Sequence, residues 1–178
     1  TLAGTSYDDV NHALVRWSND DEPPVRCIAT TWFLTVDEDA WSLLARYLAP
    51  QDMDRFQSVA IEILGQSNPS FDLPDDRRWM AAVLGPPPRH SQSLRTGIAN
   101  TLAIMGSRGA SIRITGGHDV EEYAAYCVQR ILHTTDWKVW ASLPLSTLAE
   151  ASPDQFLSAI DGGLSGDRPV LYELFCGG

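Results

Sequence analysis

From Arg77 to His118 the chain carries six arginines and not one carboxylate, within a protein whose formal net charge is −10. Residues 1–76 come to −10, residues 77–118 to +6 and residues 119–178 to −6. Guanidinium groups segregated in this way serve one of two chemistries. They pair with the acidic flanks of their own chain, or they bind an anionic partner such as nucleic acid through its phosphates. The candidate interaction residues are Arg89, Arg95, Arg108 and Arg113. If cohesion prevails, Arg95, expected in mid-helix, should meet a carboxylate from residues 1–76 or 119–178. If Arg89, Arg95 and Arg108 instead face solvent together, they form a binding surface. A single-strand binder also stacks bases on aromatic side chains, and the span offers only Trp79, at a helix start that reads as core, which favours the internal reading.

The other chemistry-bearing residues give weaker patterns. His12, His90, His118 and His133 are scattered and form neither HxxxH nor HExxH. The acidic clusters Asp8-Asp9, Asp37-Glu38-Asp39, Asp75-Asp76 and Glu121-Glu122 fall in expected helix first turns, where capping and the helix dipole account for them. Gly106-Ser107-Arg108-Gly109 lacks the Gly-Lys-Ser/Thr of a phosphate loop. Ser165 follows a helix, where a nucleophile elbow needs a strand. Cys27, Cys127 and Cys176 are widely spaced, with no CxxC pair, so neither a disulfide framework nor a zinc site is expected. No catalytic, cofactor-binding or metal-ligating residue is assigned, and no cofactor is expected.

Twelve of the thirteen basic residues are Arg and only Lys138 is a lysine, a bias that high-GC bacterial codon usage would produce. A hydrophobic content of 44% with 20% charged residues is ordinary for a globular protein. No run approaches the roughly 18 apolar residues of a membrane span. A reducing cytoplasmic location is expected, with no membrane partner. The start at Thr1 and the end just after an apolar run suggest a piece of a larger protein.

The elements that must position these residues are mostly helical. Ser6 with Asp9 opens a helix whose stripe is Tyr7, Val10, Ala13, Leu14 and Trp17. Val25–Ile28 and Thr31–Leu34 read as a hairpin turning at Ala29-Thr30. Thr35 and Glu38 form a capping box for a helix to about Leu48. Pro50 opens the next helix, which ends at Gly65. Asp75 to Leu84 is a short helix, and Ser91 caps one with Leu94, Ile98, Leu102 and Met105 on one face. In the glycine-rich stretch from Gly106 to Gly117, Ile112 and Ile114 alternate as a short extended piece would. Asp119, Asp136, Ser152-Pro153 and Pro169 mark four further starts, with Pro144 interrupting the second. The expected class is mainly α, with irregular helical hairpins forming an α-solenoid or a compact bundle. Residues 1–35 form a helix-plus-hairpin unit and residues 36–178 a repeat-like helical domain. The order helix then hairpin also fits a truncated winged helix, with Leu2-Ala3-Gly4 ending a preceding helix. Its exposed face, rich in Asp8, Asp9, Asn11 and His12, would repel phosphates.

With these pieces placed, several stretches resemble one family. They are Glu38 to Ala45, Asp54-Arg55-Phe56 to Ile63-Leu64-Gly65, Ser93 to Ala103, and Leu145 to Leu157 with its Leu-Ala-Glu-Ala-Ser-Pro pattern. They are similar to the helical region of large, mostly uncharacterised bacterial proteins of the STAND NTPase type, several of them implicated in phage defence. The similarity covers about two thirds of the chain and rests on packing motifs. It implies a winged-helix element and helical repeats serving as scaffold or sensor after an NTPase core. The NTPase motifs are not in this sequence, so no nucleotide-binding residue is carried over. The expected function is a non-enzymatic helical scaffold or protein-recognition segment, its partner another protein or the neighbouring domains of a larger chain. The alternatives are a nucleic-acid-binding module built on residues 77–118 and an enzyme whose site assembles from distant residues.

Overall fold

The computed structural model describes residues 5–19, 21–23, 25–35, 41, 44–117, 119–167 and 169–176. The protein is mainly α with one small antiparallel hairpin. Helix α1 (Tyr7–Trp17) leads to strands β1 (Val25–Ile28) and β2 (Thr31–Leu34). A 3-10 turn at Ala45–Tyr47 precedes α2 (Pro50–Leu64), and 3-10 turns at Pro69–Asp72 and Asp75–Met80 run into α3 (Ala81–Leu84). The remaining helices are α4 (Gln92–Arg108), α5 (Val120–Leu132), α6 (Trp137–Ser142), α7 (Leu145–Ala151), α8 (Pro153–Gly163) and α9 (Val170–Cys176). The capping box expected of Thr35 with Glu38, the helix start that follows it, the acidic cluster 37–39, Leu2-Ala3-Gly4 and His118 all lie outside the described residues, except for Thr35 itself.

Local signals set most helix starts. The Ser6 hydroxyl accepts from Asp9 N at 3.2 Å and donates to Asp9 Oδ2 at 2.6 Å. Those bonds from Ser6 and then Thr5 hold the Asp9 carboxyl below its ordinary value. Ser91 caps α4 by accepting from Leu94 N at 3.2 Å. Asp119 and Asp136 do the same for α5 and α6, at 3.0 and 2.9 Å. Each satisfies a backbone donor that the first helical turn leaves without a partner. Pro50 and Pro153 occupy first-turn positions, where a missing N–H removes no intrahelical bond.

The hairpin pairs Val25 with Leu34 and Ile28 with Thr31, leaving Ala29-Thr30 as its turn, and Ala29 adopts φ 58°. That is the left-handed region glycine enters without a steric penalty. The Trp32 indole N–H donates to Asn11 Oδ1 at 2.9 Å and ties hairpin to α1. Among the described residues this unit contributes nothing to the main core, and α1 buries no side chain fully.

That core runs from Ala45 to Leu171 and is continuous. Leu102, Met105, Val120, Val128, Leu148 and Trp140 are among its largest fully buried side chains, along with Met53 and Leu64. Helix α4 is central, packing on both α5 and α7, while α2 and α8 flank α5, and α9 lies on α6. Contacts between helices far apart in order, α4 with α7 and α2 with α5, distinguish a bundle from a solenoid, in which each unit meets only its neighbours. Of the two expected arrangements the compact bundle is the observed one. Ile112 and Ile114 alternate inward as expected, and Thr115 ties their loop to the 45–48 turn through its N–H and hydroxyl, each 2.9 Å from a carbonyl.

Gly106 departs from expectation. It does not open a loop; α4 runs through it to Arg108. A Cβ at Gly106 would collide with the Ala151 carbonyl at the end of α7. Glycine is therefore what allows the two backbones to touch. Gly106→Ala should raise intrinsic helix propensity by about 1 kcal/mol, yet lower the stability of the protein by about 1–3 kcal/mol. Urea denaturation of the two proteins gives the sign directly.

Candidate functional site

The six arginines of the acid-free span do not share a surface. Arg78 pairs with Asp75 at 2.7 Å, and its guanidinium lies 5.5 Å from the Phe71 ring centroid and 5.4 Å from that of Trp137. The two rings meet edge to face at 5.5 Å. Nearby, Lys138 pairs with Asp72 at 2.7 Å, and the Ser142 hydroxyl accepts from Asn68 N at 2.7 Å. Together these contacts pin the irregular segment 68–80 against α6. Arg89 is exposed and reaches Glu62 at 3.6 Å. Arg108 closes the last turn of α4, thirteen residues after Arg95 and so about 20 Å further along the helix axis. Arg113 is exposed and joins Asp119 in an isolated antiparallel bridge.

Arg95 differs from all of these. It is 8% exposed, the one buried charged residue among those described. Among the described residues the expected carboxylate is not there. Instead, its guanidinium donates to the carbonyls of Ile63 at 2.6 Å, Leu64 at 3.4 Å and Ser142 at 3.2 Å. Leu64 and Ser142 are the last residues of α2 and α6. The final carbonyls of a helix have no intrahelical donor and carry the negative end of its dipole. One buried cation therefore serves two helix ends, and those dipoles supply the counter-charge that no acid provides. Burial lowers the Arg95 pKa, but a guanidinium keeps its proton in proteins.

The helical face explains why Arg95 is inside. Arg95, Ile98, Ala99, Leu102, Ala103 and Gly106 recur at spacings of three and four, and Arg95 through Ala103 in that series are buried. The expected stripe placed Leu94 inward; Leu94 is instead 39% exposed. Ile98, Leu102 and Met105 are buried as expected. The run of small and apolar residues in register with Arg95, not Leu94, was the available signal.

Arg95, Arg89 and His90 also border a small recess beside the start of α4. Among the candidate interaction residues only Arg89 and Arg95 come together there; Arg108 and Arg113 do not.

The remaining titratable groups stay dispersed. Among the described residues, no group of three or more His, Cys, Asp or Glu side chains is placed to hold a metal ion. Asp119 and Asp136 accept from backbone N–H groups at helix starts, as their positions suggested, Asp52 accepts likewise from Ala49 N, and the Asp9 carboxylate accepts from the Ser6 and Thr5 hydroxyls. All three cysteines are free thiols; Cys27 and Cys176 are exposed, and Cys127 lies in the core. Burial pushes the Cys127 thiol up to about 12. No described helix is long and apolar enough to cross a membrane.

Several large apolar side chains face outward. Trp79, expected in the core, is instead 80% exposed, because the 75–80 segment forms a 3-10 turn that buries no side chain, and Val83, four residues on, is 83% exposed. The Trp79 indole N–H donates to the Asp76 carbonyl at 2.9 Å, which orients the ring. Tyr172 and Phe175 are exposed on α9, three residues apart. Between the hairpin and α4 lies a groove of about 440 Å³, walled by Trp32, Trp41, Phe56, Leu94 and Ile104.

The fold and its surfaces define a mainly α bundle with an attached hairpin. No family model matches the chain, and no curated protein or solved structure is similar to it.

Arg95→Met leaves three carbonyls without their donor and should destabilise the protein by about 3–5 kcal/mol. Arg95→Lys should recover only part of that, since a point charge on a flexible stem does not reproduce a planar fork. Chemical denaturation measures both. With a thiol-reactive probe at pH 8, two thiols should label promptly and Cys127 only at the rate of unfolding, because its thiolate is suppressed and it is enclosed. Peptide mapping after timed labelling identifies the slow site.

Proposed function

We propose that this chain is a non-catalytic helical segment that recognises protein, within a larger bacterial polypeptide of the STAND type acting in phage defence in the cytoplasm. The observation that carries the reading is the exposure of Trp79 and Val83. Monomers seldom leave large apolar side chains grouped on the surface without use, and tryptophan is enriched among residues that dominate binding energy. The Trp79 ring is already oriented by its bond to the Asp76 carbonyl, so little conformational freedom is lost when a partner covers it. The arrangement of the arginines supports the same choice over nucleic-acid binding. Arg95 is turned inward, Arg78 is held between Phe71 and Trp137, and Arg108 and Arg95 stand at opposite parts of α4. A phosphate backbone is gripped by cations aligned on one surface. The resemblance noted for residues 54–65, 93–103 and 145–157 supports the setting.

The double variant Trp79→Ser/Val83→Asp tests this in the parent protein and in the isolated chain. In the isolated chain, surface changes of this kind should alter stability by about 0.5 kcal/mol or less. In the parent, Trp79 should be shielded from oxidation by N-bromosuccinimide, and the variant should weaken the protecting association by about tenfold or more. Equal reactivity of Trp79 in both settings, with a fully working double variant, defeats the reading. A fluorescent 20-nucleotide probe at low salt serves as the counter-test. Salt-sensitive binding that disappears in Arg89→Ala/Arg108→Ala/Arg113→Ala would replace it with the nucleic-acid reading.

A further inference from the structure

The recess beside the start of α4 has a composition that the bundle itself does not require. It is small, about 120 Å³, and lies between residues 66–68 and 88–92, with Arg95 and Ser142 completing the wall. Its lining includes two guanidiniums, Arg89 and Arg95, the imidazole of His90 and the amides of Gln66 and Gln92, and it includes no Asp or Glu. In a chain with 23 acidic residues, a polar recess free of them is a selective environment. Glu62, which pairs with Arg89 at 3.6 Å, is itself exposed.

Three side chains bring nitrogen groups to that recess. Arg95 has five N–H groups and gives three bonds to carbonyls, which leaves two. His90 Nε2 is buried and has no hydrogen-bond partner. Arg89 is exposed at the rim, where its bond to Glu62 is long and solvent-screened. The first turn of the 17-residue helix α4 faces the same region through Gln92, and a helix N-terminus adds positive potential. The volume suits one tetrahedral oxyanion and excludes an extended polyanion.

From this geometry we infer that the recess formed by Arg89, His90, Arg95 and Gln92 binds a single phosphate-type oxyanion, free or as the terminal phosphoryl group of a small molecule. Arg95 then has two tasks: its carbonyl bonds hold α2 and α6, and its remaining donors meet the anion. Occupation of the recess adds negative charge beside a buried cation and so reinforces the junction of α2, α4 and α6.

Isothermal titration calorimetry with inorganic phosphate and with glycerol 3-phosphate, at ionic strength matched by sodium chloride, tests the inference. The expected result is saturable one-to-one binding. At ten times Kd it raises Tm by about 3–6 °C. Preference for inorganic phosphate assigns the free ion, and equal affinity assigns the terminal phosphoryl group. Arg95 variants are avoided because they endanger the fold. Arg89→Gln and His90→Leu should each weaken binding by about tenfold, whereas Arg16→Gln, on α1, should not. Absence of saturable binding by either probe overturns the proposal, as does equal weakening by Arg16→Gln, which would mark a general surface effect.

Discussion

The bundle depends on one buried cation that meets main-chain carbonyls and, among the described residues, no anionic side chain. Arg95 enters the core from the end of the first turn of α4 and donates to the terminal carbonyls of α2 and α6. Burying a guanidinium without compensation would cost several kcal/mol. The compensation here is backbone. Two helix ends, each with carbonyls left over by the geometry of the helix, need donors as much as the cation needs acceptors. Meeting both needs at one point fixes the places where α2 and α6 stop and brings them to the same flank of α4. A carboxylate in that position would have neutralised the charge, but it would have left the two helix ends to find donors elsewhere.

Around this junction the structure follows a division of labour between charges. Acids sit at helix starts, where Asp52, Asp119 and Asp136 accept from free backbone N–H groups and Asp9 accepts from the hydroxyl of the capping Ser6. Basic residues sit at ends, as Arg108 does in α4 and Arg130 in α5. The same electrostatics explains why the acid-free span is not a basic patch. Arg77 and Arg78 close one 3-10 turn, Arg95 closes two helices from outside them, and Arg108 closes its own. Segregation of charge along the chain becomes dispersal in space, because helix ends are distributed over the bundle. The Arg78 guanidinium adds a different stabilisation, facing Phe71 and Trp137, which anchors a segment with little regular hydrogen bonding of its own.

Elements governed by local chemistry were legible in the sequence. Ser6, Ser91, Asp119 and Asp136 each cap the helix they were expected to open, and the hairpin turns at Ala29-Thr30 as its alternating strands required. Ile112 and Ile114 point inward as their spacing implied. What escaped involves residues distant in sequence. Arg95 bonds to carbonyls 31, 32 and 47 positions away, and backbone acceptors leave no mark in composition. Leu94 and Arg95 offer two helical registers differing by one residue, and hydrophobicity alone favours Leu94. Only the series of small residues from Ala99 to Gly106 points to Arg95. Gly106 looked like the start of a loop because glycine is a common terminator; its role comes from the Ala151 carbonyl, 45 residues later.

The sequence by itself determined the helical class, the positions of the caps and the hairpin. Each of these is settled by interactions within a few residues or by one periodic face. Tertiary structure alone decided that the helices close into a bundle, that Arg95 lies inside it and that Arg89 and His90 join it at one recess. Those outcomes rest on contacts between α2, α4 and α6 whose partners are main-chain carbonyls and excluded volume. Every residue has a carbonyl, so only the fold selects which ones a cation will meet.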